Sequence, residues 1–218
     1  MKKSAGRKFN LFLKRAFDIA VSLVLILLLI AIPVLIVVFI AVAVSSKGPV
    51  IFKQKRIGKD KKPFVMYKFR TMIVERYDKD GNEIMSEDRI TKVGRILRKT
   101  SLDELAQLFN VLNGSMSLVG PRPMLDYQAE RCDEEQSLRF EMRPGVTGWA
   151  QVKGRNNIQW PERIRYDLEY IRNFNFLMDI KVLFLTFLSV IKREGTDVKA
   201  EYRGVDPFSK NYVMSEKK

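Results

Sequence analysis

The sequence contains no histidine and only one cysteine, Cys132. Histidine is the commonest general base and the usual zinc ligand, so the sequence lacks both, and it can form no Ser-His or Cys-His nucleophile pair. A single cysteine allows neither an internal disulfide nor a zinc site built from several thiolates. Any catalysis must therefore depend on Asp, Glu, Lys, Arg, Tyr or a bound hard cation such as Mg²⁺, which prefers oxygen ligands.

Glycine-rich nucleotide-binding motifs of the types GxxxxGK[ST] and GxGxxG are also missing. Positive charge, in contrast, is abundant: 39 lysines and arginines against 25 acidic residues give a formal net charge of +14. This excess indicates an anionic partner, which is a nucleic acid, a lipid surface or a phosphorylated substrate. We expect no nucleic-acid partner, because the basic residues flank an apolar segment as a lipid-facing cluster would and no recognition fold is visible.

The apolar segment runs from Ile19 to Val44, 26 residues without a charge. As a straight helix it would be about 39 Å long, against a hydrocarbon core of about 30 Å. Its length favours a single-pass anchor. However, Pro33 breaks the helix near its middle, and basic residues stand on both sides, so the positive-inside rule gives no direction of crossing. A re-entrant helix that breaks at Pro33 and returns to the same face satisfies both flanks. From these features alone the single-pass anchor and the re-entrant helix both stay open.

Beyond this segment the patterns predict a helix-rich α+β fold. Strand-like alternation at 50–57 and 64–72 predicts a β-hairpin. Residues 174–191 are apolar except for Asp179 and Lys181 and form either a buried core helix or, as we favour, a helix in the membrane interface. Further helices are predicted near 91–98, 101–112, 124–141 and 161–173. The domains expected are a basic N-terminus with the re-entrant membrane helix (1–47), a catalytic domain with amphipathic interfacial helices (48–194) and a polar tail (195–218).

Two adjacent carboxylates, Asp103 and Glu104, stand in the stretch "TSLDELAQLFN" just before an apolar helical run. Ser101 and Glu104 fit a capping box, with Ser101 as the N-cap. The carboxylates would then occupy the second and third helical positions, about 100° apart around the axis. One can cap the helix while the other faces a ligand, so helix punctuation and chemistry are compatible.

Four arginines lie in or beside turns rich in glycine and proline: Arg98, Arg122, Arg143 and Arg155. Arginine in a fixed loop suits bidentate recognition of phosphate. Together with a carboxylate pair and a membrane segment, they predict phosphoryl transfer at a membrane surface, with Asp103 as a nucleophile that needs no histidine. The competing hypothesis is a non-catalytic basic scaffold on the membrane, which explains the charge and the apolar segments but not the Gly/Pro/Arg loops.

The sequence resembles the monotopic phosphoglycosyl transferases, bacterial sugar transferases that act on polyprenol phosphate. The resemblance is carried by "KRAFDIAVSL", "YKFRTM", "TSLDELAQLFNVLNGSMSLVGPRPM", "RPGVTGWAQVKGRN" and "YDLEYI", in this order, over residues 11 to 194. It implies a re-entrant membrane helix and an active site at the cytoplasmic face of the bacterial inner membrane. The oligomeric state stays open, with a homodimer as one alternative. It also implies a ping-pong reaction in which a UDP-sugar gives its phosphosugar first to the enzyme and then to polyprenol phosphate, with release of UMP.

The same resemblance assigns residues to roles. Asp103 matches the nucleophile and Glu104 the second acid, and the pair would bind Mg²⁺. Arg98 and Arg122 match phosphate-binding positions. Other matching polar positions around the site are Lys68, Arg143, Arg155 and Asp167. The sequence departs from the family pattern at Ile32, where serine usually precedes Pro33, and at Ala106, where proline usually follows the acidic pair.

Overall fold

The computed structural model describes residues 5–75, 77, 83–85, 87–154 and 158–191. Within them the fold is helix-rich α+β, as predicted. The helices are α1 Ala5–Ala31, α2 Val34–Ser45, α3 Lys92–Thr100, α4 Gln107–Leu112, α5 Asp126–Glu130, α6 Glu134–Ser137, α7 Trp149–Gly154, α8 Trp160–Arg172 and α9 Phe176–Ile191, and the strands are β1 Ile51–Ile57, β2 Pro63–Phe69, β3 Ser117–Val119 and β4 Gly145–Thr147. Short 3₁₀ turns cover Lys59–Lys61, Leu102–Glu104 and Leu138–Glu141.

Helices α1 and α2 form a bent pair, with an angle of 69° at the break. Pro33 lies between them and has no backbone N–H to continue the hydrogen bonding of α1. No single helix among the described residues is both long and apolar enough to cross a membrane, whereas the two arms of this pair reach that length and hydropathy together. Many large apolar side chains on both arms are exposed, among them Leu23, Leu27, Ile36 and Ile40.

Both ends of the bent pair are fixed to the same folded domain. Near the start of the apolar segment, Arg15 donates to the backbone carbonyl of Val111 at 2.6 Å. After the end of α2, Arg70 donates to the carbonyl of Ser46 at 2.6 Å. Gly48 follows with a φ of +113°, and a Cβ there would lie 2.5 Å from the Arg70 guanidinium, so this turn requires glycine. The bent pair is therefore attached to the domain on both sides of its break, by contacts about 30 residues apart in the chain.

The predicted β-hairpin is confirmed. Strands β1 and β2 pair antiparallel, from Ile51 opposite Phe69 to Ile57 opposite Pro63. A second, smaller sheet pairs β3 and β4 in parallel. This sheet brings two Gly/Pro loops close together. A Cβ at Gly145 would lie 2.1 Å from the backbone nitrogen of Gly120, so only glycine fits there.

The capping box predicted at Ser101 is wrong. Ser101 adopts a left-handed conformation with φ 57° and ends α3, and its side chain caps no helix. Residues 102–104 then form a 3₁₀ turn that follows Ser101 directly, and α4 begins only at Gln107. The side chain that does cap a helix here is Thr91, which accepts from the backbone N–H of Gly94 at the start of α3.

The single helix predicted over 124–141 is also wrong, because this stretch forms α5, α6 and a 3₁₀ turn. Asp133 interrupts it: its carboxylate accepts from the backbone N–H of Gln136 at 2.8 Å and starts a new helix. The helices predicted near 91–98 and 161–173 are confirmed as α3 and α8.

Helix α9 presents its apolar side outwards. Asp179 is 2% exposed, whereas Leu177, Phe184 and Phe187 are 76%, 60% and 63% exposed. Val182 is fully buried, so the helix has one packed side and one uncovered apolar side. This arrangement contradicts a fully buried core helix. The domain division at residue 47 stays a prediction, and the polar tail of 195–218 lies outside the described residues.

Candidate active site

Asp103 and Glu104 lie on the 3₁₀ turn between α3 and α4. With three residues per turn, neighbouring side chains on such a turn diverge by about 120°, slightly more than on the α-helix that the sequence predicts. Glu104 accepts a hydrogen bond from Lys68 Nζ at 2.7 Å, and the Gln107 side chain donates to it as well. Lys68 is on β2, so the hairpin and the turn together position the second acid of the pair.

The two carboxyl groups have different electrostatic environments. Burial, followed by the negative charge of Glu104, raises the pKa of Asp103 to about 6, against the opposing effects of Lys68 and Arg98. Burial also acts to raise the pKa of Glu104, but the charges of Lys68 and Arg122 and the two hydrogen bonds lower it overall. Glu104 is therefore the more acidic group, and Asp103 is about 90% ionised at pH 7.

Three of the other predicted site residues lie with this pair. Lys68 contacts Glu104 directly. Burial lowers the pKa of Arg98, whereas the nearby charge of Asp103 raises it, and the Arg98 guanidinium is held by Thr71 Oγ1 at 2.9 Å. Arg122 acts on Glu104 by its charge. The acidic pair is thus surrounded by three cationic side chains from three separate elements, a suitable environment for phosphate groups.

The other predicted residues lie elsewhere. Arg143 donates from Nε to the carbonyl of Gly114 at 2.7 Å, beyond the C-terminal end of α4 and next to Arg15. The acidic pair lies before the N-terminal end of α4, a six-residue helix about 9 Å long. Arg143 and the acidic pair are therefore at opposite ends of this helix. Asp167 is buried within α8, and Arg155 lies outside the described residues.

Four arginines lie around the loop of residues 120–123, and we call them the arginine cluster: Arg56, Arg122, Arg139 and Arg163. Sequence reasoning named Arg122 and missed the other three. Arg139 donates to the backbone carbonyl of Arg122 at 2.8 Å and forms a buried ion pair with Asp167. Arg56 approaches the carbonyl of Pro123 at 3.4 Å. Burial, followed by the charge of Arg122, lowers the pKa of both Arg56 and Arg163 to about 10.

Asp167 contacts the arginine cluster through Arg139 and not the acidic pair itself. Burial raises its pKa to about 6, against the opposing charges of Arg139, Arg163 and Arg122. Its ion pair with Arg139 holds the backbone of Arg122 in place, because the same guanidinium nitrogen contacts both. Asp167 therefore supports the loop of residues 120–123 from behind.

The acidic pair has a donor set that fits Mg²⁺. Within the described ranges, no three side chains of the types Asp, Glu, His and Cys come together as a metal site. Asp103 and Glu104 can offer two carboxylates. Mg²⁺ commonly binds through one or two carboxylates, with substrate phosphates and water completing its octahedron.

An apolar cavity of about 440 Å³ lies beside the turn that carries the acidic pair. It is bounded by α2, the hairpin and the start of α4, through Leu35, Phe39, Ile51, Tyr67, Phe69, Ala106 and Phe109. Ala106, where the family pattern has proline, has φ −62°, a value that a proline ring also adopts.

Comparisons with known proteins show the family to which the chain belongs. A family model described as bacterial sugar transferase matches residues 9–193. An uncharacterized sugar transferase of Bacillus subtilis is 45% identical over 185 residues, which cover 85% of this chain and 90% of that protein. A UDP-glucose:undecaprenyl-phosphate glucose-1-phosphate transferase of Escherichia coli is 48% identical over 186 residues, covering 81% of this chain and 40% of that protein.

An undecaprenyl-phosphate galactose phosphotransferase of Salmonella typhimurium is 38% identical over 212 residues, covering 89% of this chain and 44% of that protein. The chain thus spans nearly all of the Bacillus relative but less than half of the two enterobacterial relatives.

Proposed function

The chain belongs to the bacterial sugar transferase family, and from this membership we propose that it transfers a sugar phosphate from a UDP-sugar to polyprenol phosphate. The products are a polyprenyl-diphosphate-sugar and UMP, and the reaction would initiate the assembly of a bacterial surface glycan. The names of two relatives describe such transfers of glucose and galactose phosphates. The observation that carries the proposal is the acidic pair Asp103–Glu104 surrounded by Lys68, Arg98 and Arg122.

The proposed reaction has two displacements at one phosphorus atom. In the first, an Asp103 carboxylate oxygen attacks the β-phosphorus of the UDP-sugar. The bond from this phosphorus to the bridging oxygen breaks, and UMP leaves with the electron pair. In the second, an oxygen of polyprenol phosphate attacks the same phosphorus, and the bond to Asp103 breaks. The Asp103 carboxylate is regenerated, so the enzyme itself supplies no other nucleophile.

The other residues around the acidic pair would bind and orient the phosphates. Lys68 holds Glu104 ionised and opposes the rise in the pKa of Asp103. Arg98 and Arg122 would contact the phosphate oxygens that gain charge in the transition state. Mg²⁺, when held by Asp103, Glu104 and the diphosphate, would neutralise charge on the phosphate oxygens.

The bent helix pair would enter the membrane and return to the same face. Both of its ends contact one domain, through Arg15 and Arg70. Measured from these two contacts to the break, each arm is about 20 Å long, so a 69° bend puts the tip only about 11 Å from the line that joins the contacts. That is about a third of the hydrocarbon core. The basic residues on both flanks favour the cytoplasmic face of the inner membrane.

The uncovered apolar side of α9 is expected to lie on the same membrane surface. Leu177, Phe184 and Phe187 project from it, and the N-terminal turns of α1 add the exposed side chains of Phe9 and Phe12. Amphipathic helices of this kind lie in the headgroup region with the apolar face towards the acyl chains. The active site would then be close to the phosphate of a lipid acceptor.

The experiment that tests the proposal is the intact-protein mass after incubation with Mg²⁺ and a UDP-sugar panel, without acceptor. We expect an added mass of one phosphosugar in the unmodified enzyme and none in Asp103→Asn. Asp126→Asn, an exposed aspartate at the start of α5, is the matched control and should retain the adduct. The lack of an adduct with every donor, together with no UMP release when polyprenol phosphate is present, would favour the non-catalytic scaffold.

A further inference from the structure

Two side chains of α1 bind β3, the first strand of the small parallel sheet. Asp18 accepts from Ser117 Oγ at 2.7 Å and from the backbone N–H of Leu118 at 3.1 Å. One turn earlier on the same face of the helix, Lys14 Nζ donates to the backbone carbonyl of Val119 at 2.7 Å. All three residues of β3 are therefore bound by the first arm of the bent helix pair.

Both side chains are charged and buried, although they stand at the edge of the apolar segment. Lys14 is 5% exposed and Asp18 is 2% exposed, and Asp18 directly precedes the uncharged run of residues 19–44. A buried charge is costly unless it is hydrogen-bonded. Lys14 also pairs with Asp179, whereas both carboxylate oxygens of Asp18 accept from uncharged donors of β3. The contacts of Asp18 thus fix the position of β3 against α1.

A displacement of β3 would be passed on to Arg122, because the short connection between them is stiff. Gly120 follows β3 directly, and its N–H donates to the carbonyl of Thr147 on β4 at 2.9 Å. Arg122 stands between Pro121 and Pro123. Each proline ring fixes its own φ and restricts the backbone of the residue before it. The position of β3 therefore sets the position of Arg122.

Arg122 lies close enough to the acidic pair to act on Glu104 by its charge, and in the proposed function it contacts phosphate oxygens. We propose that Lys14 and Asp18 are positioning residues that hold Arg122 in place for the phosphates, so that α1 organises the proposed site as well as attaching the chain to the membrane. This inference rests on the proposed function. Both residues act through β3 and not by contact with the phosphates.

Asp18→Asn is the sharpest perturbation, because it keeps the shape of the side chain and leaves the ion pair of Lys14 with Asp179 intact. The amide has a single acceptor oxygen, and its NH₂ group faces one of the two donors of β3. One hydrogen bond is lost, and two donors then oppose each other. A misplacement of about 1 Å can cost about 100-fold, so we expect a smaller shift of Arg122 to weaken UMP binding about tenfold.

The first test is a double-mutant cycle on the dissociation constant of UMP, measured by calorimetry on the full chain in lipid nanodiscs. Asp18→Asn should weaken binding about tenfold in the native background but less than about twofold in Arg122→Gln, because the group that it positions is already lost. Asn10→Ala is the matched control and should leave the affinity unchanged, because this α1 side chain accepts from the backbone N–H of Phe176 on α9 at 2.9 Å. Equal losses in both backgrounds, or the same loss in Asn10→Ala, would overturn the positioning of Arg122 by Asp18.

The second test needs no substrate. The Gly120 N–H bonds to β4 and not to α1, so its hydrogen exchange reports the position of the loop. Asp18→Asn should speed this exchange about tenfold, and Ser117→Ala, which removes one of the two contacts of Asp18, about threefold. The milder variant keeps the test decisive if Asp18→Asn does not fold, and unchanged exchange would overturn the proposal. If the unmodified protein does not bind UMP, the proposed function fails, whereas the exchange rates still decide whether α1 positions the loop.

Discussion

Replacing Lys68 with methionine should change the pH dependence of the first step more than its maximal rate. Lys68 Nζ is 2.7 Å from Glu104 and its charge also lowers the pKa of Asp103. Without that charge the pKa of Asp103 rises further above about 6. A nearby opposite charge is worth one to three pKa units, and the lower end of that range, about one unit, applies because Arg98 remains.

The size of the effect follows from the ionised fraction of Asp103, the form that attacks phosphorus. With the pKa raised from about 6 to about 7, the ionised fraction at pH 5 falls about ninefold, whereas at pH 8 it falls by only about 10%. The variant should therefore be about nine times slower than the unmodified enzyme at pH 5 and nearly equal to it at pH 8. Because the two carboxyl groups interact, the measured values belong to the pair.

The assay is the release of UMP in a single turnover without acceptor, from pH 5 to pH 8. Leaving out polyprenol phosphate is essential, since its second ionisation has a pKa near 6 and would be superimposed on the profile. Lys68→Arg, which keeps the charge, and Lys53→Met, an exposed position on the neighbouring strand, are the controls. A defect of equal size at every pH would refute the reasoning, because it would mean that Lys68 binds substrate directly.

Two other predictions concern the lipid side of the site. Leu35→Trp reduces the apolar cavity and should lower kcat/KM for polyprenol phosphate about tenfold, with kcat/KM for the UDP-sugar unchanged. The control Ile36→Trp, on the exposed side of α2, should change neither value. Equal effects of both variants would exclude the cavity as a site for the acyl chain. With the native cysteine replaced by serine, single cysteines at Lys8 and Lys53 should both react with an impermeant reagent only in inside-out vesicles, and one at Ile32 in neither orientation. Labelling of Lys8 and Lys53 from opposite sides would show a crossing helix.

Features set by local sequence were predictable. The hairpin follows from two alternating runs with a polar connection, and its register agrees with that pattern. The break at Pro33 follows from a missing backbone donor. The family resemblance carried by the motifs was confirmed by the match over residues 9–193. It also named Lys68, Arg98 and Arg122, which the structure places with the acidic pair.

Features set by contacts between distant segments were not predictable. The arginine cluster combines β1 with α8, and no spacing in the sequence relates Arg56 to Arg163. The error at Ser101 has a different origin. Its pattern with Glu104 fits a capping box, but α3 already ends at Ser101 in a left-handed conformation, which a three-residue pattern does not reveal.

In α9, a contact with a distant segment explains why a charged residue interrupts the apolar run. Asp179 breaks the apolar pattern, yet the structure turns it inwards, where it binds Lys14 at 2.7 Å and Tyr170 at 2.6 Å. Lys14 belongs to α1, 165 residues earlier in the chain. A buried ion pair of this kind stabilises little by itself, but removal of one partner leaves an uncompensated charge, so the pair specifies one arrangement of the two helices.

That arrangement has a consequence for the chemistry. With Lys14 and Asp179 joined on the inner side, Phe17 of α1 and Phe176 at the start of α9 pack edge to face, with ring centres 5.4 Å apart. The outer, apolar sides of both helices are then left for lipid. We infer that this buried pair sets the depth of the domain at the membrane surface. In the proposed reaction, that depth would determine whether the phosphate of a lipid acceptor reaches Asp103, so two charges outside the proposed site would control access to it.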